Sequence, residues 1–174
     1  MDSFGLFLNE QPRKVSIAVS LTKRWSYMLQ AAALPLPRVQ SQPETREWLS
    51  IACFGPSLAD TWQQLRHPIL SVSGAHDFLL DCGIVPDYHV DCDPRPSKVA
   101  HLSRPHPGVQ YLMASCCNPL TWDALAGFNV KLWHANSGGS TLEWMKSNLP
   151  NEIMMNGGSC VGLSAMHVAG VLGF

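Results

Sequence analysis

From residue 48 onward the chain alternates short apolar runs with longer segments in which apolar residues recur at helical spacing. WLSIACF (48–54) reads as a strand broken by Gly55-Pro56, and SLADTWQQLR follows as a helix with Ser57 placed to cap it. PILSVSG is a second strand and AHDFLLDCG a short helix ended by Gly83. PDYHVDCD (86–93) is a third strand, and RPSKVAHLS begins a helix. GVQYLMAS is a fourth strand, leading into NPLTWDALAG, a helix with Asn118 as cap and Pro119 at its first position. NVKLWHA is a fifth strand, followed by the helix GSTLEWMKSN. The short EIMM then leads through NGGS into a last helix at 160–172.

Alternation repeated this often implies an α/β fold, a mostly parallel sheet with helices on both faces in three layers. Such sheets bind ligands beyond the carboxyl ends of the strands, near the topological switch point. The loops GPSL, SGAHD, DCDPRP, SCCNP, HANSGG and NGGSCVG all fall at that edge. The first 46 residues differ. Residues 15–34 have helix-compatible spacing, and PLPRVQSQPETREW is Pro-rich and polar. Residues 1–46 therefore read as an N-terminal helical arm and linker, and 47–174 as the main domain. The arm would pack on that domain or on a partner chain, which is a route to a homo-oligomer.

Composition narrows the function classes. Hydrophobic residues make up 46% and charged ones 14%, which fits a compact fold with much buried surface. Twelve Lys and Arg stand against 13 Asp and Glu, with no basic stripe, so nucleic acid is not an expected partner. The longest apolar stretch, SCVGLSAMHVAGVLGF, is too short to span a bilayer. The N-terminus is a poor signal peptide, so a cytoplasmic protein without a membrane partner is expected. None of the six cysteines forms a C-x-x-C pair, which argues against a zinc or thioredoxin-type site and for buried, reduced thiols.

Three motifs carry candidate chemistry. FGPSL places a tight turn before a helix start, where backbone N–H groups favour an anion such as a phosphate. Gly55 would let a ligand approach the backbone, and Ser57 could donate to a phosphate oxygen. The simpler reading is a strand-to-helix turn with a Ser cap. NGGSCVG is a second such turn, with Gly157 and Gly158 permitting close approach and Ser159 as cap. No P-loop spacing is present. Together the two turns suit a ligand with a phosphate and a sugar.

The third motif, DCDPRP, sets Asp91 and Asp93 on one face if the strand stays extended. Magnesium takes one or two carboxylates plus substrate phosphates, which this pair could supply. Alternatively Asp93 caps the turn ahead of Pro94 and Asp91 is solvated. Arg95 could hold a phosphate bidentately. His76, His89 and His134 fall at or near strand ends, where they could meet a ligand or move a proton. His67, His101 and His106 lie in loop contexts and read as incidental, and His167 as a hydrogen-bonded core residue. Cys116-Cys117 precede a helix start, which would acidify a thiol, although inert burial is the default.

IACFGPSLADTW, SVSGAHDFLLDCGIVPDYHVDCDPRP and GGSCVGLSAMHVAGVLGF together resemble the MptE-like domain family, the 6-hydroxymethylpterin pyrophosphokinase-like proteins. The likeness covers residues 48 to 174, with 97–150 carrying least of it. It implies a Rossmann-like domain and, as in archaeal members, magnesium-dependent transfer of diphosphate from ATP to a hydroxymethylpterin-like acceptor. Relatives include the central domain of bacterial motility-associated factors, implicated in flagellin glycosylation. The Gly-rich turns are also similar to those of bacterial sialyltransferases, which bind a cytidine nucleotide.

Carried over by position, the resemblance assigns Gly55, Pro56 and Ser57, with Gly157, Gly158 and Ser159, to the nucleotide. Ser73 and Gly74 stand where those transferases offer an Asn to it. Asp91 or Asp93 would bind Mg2+ or another divalent metal; read from the residues themselves, Arg95 would take a substrate phosphate and His89 would accept a proton. Cys53 and Phe54 are bulkier than the residues the sialyltransferase pattern has before G-P-S-L, which narrows the nucleotide's approach. In the family a strand and an acidic G-x-D loop follow the point where this sequence stops, so a C-terminally incomplete domain is expected. A nucleotide-sugar-dependent glycosyltransferase and a non-catalytic assembly module are the alternative functions.

Overall fold

A computed structural model of the chain describes residues 19–136, 138–156 and 160–174. Six parallel strands form one curled sheet: β1 (Ser50–Cys53), β2 (Ile69–Val72), β3 (Tyr88–Asp91), β4 (Gln110–Ala114), β5 (Val130–Asn136) and β6 (Met154–Asn156). The connecting helices are α2 (Leu58–Thr61), α3 (Ala75–Asp81), α4 (Leu120–Ala124) and α5 (Gly139–Asn148). Helix α1 (Leu21–Ala32) precedes the sheet and α6 (Val161–Val171) follows it. The first five strands fall where the apolar runs predict them, and the short EIMM run supplies a sixth, β6. The crossover at Pro96–Leu102 is a 3-10 helix, not an α-helix, with Pro at its start.

Strand alternation separates the layers. On β3, Tyr88 meets Phe174 just beyond α6, while His89 meets His76 of α3. Successive residues of a strand face opposite sides, so α6 and α3 cover opposite faces of the sheet. Leu70, Val72, Val90, Leu112, Ala165 and Val168 belong to the main core, whereas Ile69 joins Ala52, Leu58, Ala75 and Leu79 in a smaller one. Helix α6 packs across β1, β2, β3 and β6. Among the described residues no helix is long and apolar enough to cross a membrane.

One expectation changes. Strand order follows chain order from β1 to β6, so the described sheet never reverses direction and has no topological switch point. A parallel sheet still delivers every strand's carboxyl end to one edge. That shared edge alone gathers the motif loops.

The arm docks in cis, as part of the same body. Tyr27, Met28 and Ala31 of α1 are buried, and Trp25 stacks on Trp144 of α5 at 5.3 Å and 6°. Beyond α1, Val39 N–H donates to the Leu132 carbonyl and Leu132 N–H to the Pro37 carbonyl, both at 2.8 Å. The arm thereby bridges β5 upstream of His134–Asn136, the stretch that pairs with β6. Arg38 clasps Glu152 through Nε at 3.0 Å and also donates to the Leu36 and Ala32 carbonyls. Arg38→Ala is expected to cost about 2 kcal/mol, because a partly buried carboxylate loses charged donors. An unchanged urea midpoint would show that this clasp contributes nothing.

Candidate functional site

The site is built where β1, β2 and β3 end side by side. After Cys53 the chain turns at once: Gly55 N–H donates to the Cys53 carbonyl at 2.9 Å, and Leu58 N–H to the Gly55 carbonyl at 3.0 Å. Ser57 stands at the N-cap position of α2, but its backbone is already helical and its hydroxyl makes no capping bond. The expected cap is therefore absent, and Ser57 presents an exposed hydroxyl. With four residues, α2 adds little dipole of its own.

At the end of β2, Ser73 adopts a left-handed backbone with φ of 53°, a conformation that carries strain in a residue with a Cβ. Its N–H donates to the Val90 carbonyl and its hydroxyl lies 3.1 Å from His101 Nδ1. Gly74 is required by its neighbour. A Cβ there would sit 2.6 Å from the Phe54 ring, which lies over it and meets His101 edge-on at 5.9 Å. Phe54, Gly55, Pro56, Trp62, Gly74 and His101 line a groove of about 790 Å³. The bulky Phe54 thus narrows this edge, as the sequence leads one to expect, while leaving space beside it.

The two aspartates part company. Strand β3 ends at Asp91, so the alternation that would align Asp93 with it does not extend that far. Asp91 is 4% exposed, and its Oδ1 accepts the N–H groups of Cys92 at 2.7 Å and Asp93 at 2.9 Å. Burial pushes its pKa up to about 6, and the nearby Asp93 charge adds to the rise. Both Asp93 oxygens accept from Arg95, whose Nε lies 2.8 Å from Oδ1 and whose Nη2 pairs closely with Oδ2. Burial opposes the Asp93 charge, but these bonds outweigh it and hold its pKa low. Arg95 is thereby committed to Asp93 and would have to share its guanidinium with any phosphate.

Among the described residues no group of three or more His, Cys, Asp or Glu is arranged to hold a metal. A magnesium ion shared with phosphates does not need one. Asp91 fits that role: it is a buried carboxylate at the strand edge, with Oδ2 outside the described hydrogen bonds and a charge that burial disfavours. Asp93, spent on Arg95, fits less well.

His89 is not brought to the groove. It is fully buried between sheet and helix, with Nδ1 3.1 Å from Ser71 Oγ and its ring edge-on to His76. Burial holds it neutral, its pKa well below the ordinary histidine value. His76 bridges Asp77 at 2.7 Å and the Tyr111 hydroxyl at 3.0 Å, a buried structural network. His134, on β5 and away from the ends of β1–β3, sits against Glu152, and His167 proves exposed on α6. Sequence spacing missed His101, which the 3-10 segment after Arg95 carries into the groove. Nothing local to HLSR marks it; only the fold of the β3–β4 crossover does.

Gly157, Gly158 and Ser159 lie outside the described residues. Their flank is placed, however: a Cβ on Gly162 in the first turn of α6 would lie 3.1 Å from Cys53 Sγ. The start of α6 therefore abuts the exit of β1. Cys116 and Cys117, expected to be acidified if exposed at a helix start, are buried; burial pushes the Cys116 thiol up to about 12 and the Cys117 thiol well above its ordinary value.

A parallel α/β sheet with glycine turns and a buried carboxylate gathered at its carboxyl edge defines a Rossmann-like domain. A family model described as 6-hydroxymethylpterin diphosphokinase MptE-like matches residues 26–174, and the chain belongs to that family. The match begins inside the arm, upstream of the motifs that carry the resemblance. A solved structure described as MAf glycosyltransferase from Magnetospirillum magneticum AMB-1 is similar, with a TM-score of 0.61 and 18% identity. The alignment covers 88% of this chain and 26% of that one, so this chain spans about a quarter of that protein and shares its fold there. Comparison with curated proteins gives no match.

Proposed function

We propose that the chain binds a nucleotide by its phosphates at this edge and transfers diphosphate from ATP to a hydroxymethylpterin-like acceptor, with Mg2+. One observation carries the reading: the Phe54–Ser57 turn, the strained Ser73-Gly74 step and Asp91 leave three adjacent strands at one edge. Backbone strain in a non-glycine residue beside a groove is a reason to look for a ligand there. Membership of the MptE-like family supports the choice of reaction.

In this reading the turn after Gly55 offers Ser57, through its backbone N–H and its hydroxyl, to the phosphates. Asp91 would hold Mg2+, which when bound offsets the phosphate charge. The acceptor hydroxyl oxygen bonds to the β-phosphorus as the bridge to the α-phosphate breaks, and AMP leaves. The hydroxyl proton passes to a base. His101 takes that role in place of His89, because it lines the groove and burial lowers its pKa, keeping it neutral. Its Nδ1 is paired with Ser73, which leaves Nε2 to face the acceptor.

A second reading, a glycosyltransferase using a nucleotide-sugar, is supported by the fold likeness to a protein described as one. Thermal shift against ATP, GTP, CTP and UTP, each with and without Mg2+, separates them. A ligand at a hundred times its Kd adds about 2.7 kcal/mol, roughly 5–10 °C for a chain of this size. Stabilisation by ATP that requires Mg2+ is the expected result. A CTP or UTP shift that survives metal removal favours the glycosyltransferase. No shift with any nucleotide sinks both and leaves the assembly module.

A further inference from the structure

The six cysteines divide by environment. Cys116 and Cys117 are buried, and Cys92 packs beside them, with burial pushing its thiol far up. Cys82 lies at the end of α3, away from the rest. Cys53 and Cys160 differ from these four: both are exposed, and they come from two elements that meet. Cys53 is the last residue of β1, and Cys160 is the N-cap residue of α6.

A single point shows how near they are. The Cβ that Gly162 lacks would lie 3.1 Å from Cys53 Sγ and 3.8 Å from Cys160 Sγ. Both sulfurs thus crowd the same vacant spot, and the missing side chain leaves the space between them open. Burial and then the neighbouring Cys160 push the Cys53 thiol up, as follows from that closeness. The backbone at Cys160 is extended and its carbonyl accepts the Ser164 N–H at 3.2 Å, so the residue is held as the N-cap of α6 while its thiol stays exposed.

We propose that Cys53 and Cys160 form a redox-active dithiol, which a small disulfide such as oxidised glutathione converts to a cross-link between the exit of β1 and the first turn of α6. One thiolate of the pair attacks a glutathione sulfur, forming a mixed disulfide and expelling one glutathione thiolate. The second protein thiolate attacks the protein sulfur of that bond, forming the Cys53–Cys160 disulfide and expelling the other glutathione. Two protein thiols are oxidised, one glutathione disulfide is reduced to two glutathiones, and the protons shed by the protein end on them. Cys53 lies two residues before Gly55, so the cross-link fixes the turn assigned above to the phosphates. This consequence, though not the cross-link itself, rests on the proposed nucleotide site.

The test equilibrates the folded full chain in glutathione buffers of increasing oxidised fraction, blocks free thiols with N-ethylmaleimide and maps the digest by mass spectrometry. A Cys53–Cys160 peptide is expected, with four thiols still alkylated after unfolding. Cys53→Ser and Cys160→Ser should each lose that peptide and trap one glutathione on the surviving exposed cysteine. Separate glutathione adducts on Cys53 and Cys160 of the unmutated chain, or cross-links only among Cys92, Cys116 and Cys117, would overturn the proposal. ATP affinity is then compared between reduced and oxidised protein, with at least a tenfold loss expected on oxidation. Equal affinity overturns the effect on the turn. If the reduced protein binds no nucleotide, the functional reading fails while the peptide map still decides the dithiol.

Discussion

Gly173→Ala is expected to destabilise the chain by about 2–4 kcal/mol, as a left-handed alanine and a backbone clash combine. Gly173 has a φ of +91°, and a Cβ there would overlap the Pro43 carbonyl oxygen. It ends α6 in a Schellman arrangement, with Gly173 N–H donating to the Gly170 carbonyl and Phe174 N–H to that of Ala169. Its own carbonyl accepts from Thr45 N–H at 2.6 Å, so the same residue closes the helix and holds the arm. Urea unfolding gives the loss, and limited proteolysis should show cleavage of the arm between 38 and 48. Gly170→Ala is the matched control: nothing lies within 4 Å of its Cβ position, and a helical Ala should add about 0.5–1 kcal/mol. Equal behaviour of the two variants would sink the idea that Gly173 anchors the arm.

Asp91→Asn is expected to stabilise the ligand-free chain at pH 7 while removing the Mg2+-dependent part of ATP binding. Burial raises the Asp91 pKa from 3.8 to about 6, so the folded state holds this proton more tightly than the unfolded state. Its contribution to stability is complete below about pH 4 and is lost as pH rises through about 6. At neutral pH that loss approaches 3 kcal/mol, at roughly 1.4 kcal/mol per unit. Asparagine keeps an oxygen for the Cys92 and Asp93 N–H groups without the buried charge, so the variant should be flat across this window. Asp93→Asn should do the reverse. The folded pKa of Asp93 is lowered, so its stabilising pair with Arg95 is present above the unfolded value and fades only as pH falls through the folded one. Urea midpoints from pH 2 to 8 for both variants, with ATP and Mg2+ added in parallel at pH 7, read these effects. An Asp91→Asn chain no more stable than the parent at pH 7 would contradict the buried charge.

The strands were legible because each is a short apolar run closed by Gly, Pro or Asn, and the helix over Gly139–Asn148 falls on its predicted segment. Their arrangement was less so. A parallel sheet follows from alternation, but sequential order is a tertiary choice that no local signal encodes. The paired reading of Asp91 and Asp93 rested on a strand through residue 93, and β3 stops at Asp91, where its carboxylate turns to cap the following N–H groups. Ser57 looked like a cap because it precedes a helix; the turn had already closed through the Gly55 carbonyl. His101 and the exposed Cys53–Cys160 pair depend on which segments fold beside one another, and residue type alone does not report that. PLPRVQ shows no strand periodicity, yet it bridges β5 through backbone bonds that most residue types can make.

The sequential sheet has a consequence for how the chain assembles. Each strand pairs with its nearest neighbour along the chain, so every ladder closes a short loop and can form as synthesis proceeds. The arm cannot. Arg38 finds Glu152 114 positions later, and the arm's other anchors, Leu132, Trp144 and Gly173, also come late. A segment that precedes the whole sheet in the sequence is thus among the last to find its place. Throughout that interval Trp25 waits for Trp144 and Tyr27 for Asn118, and the apolar face of α1 stays without its cover.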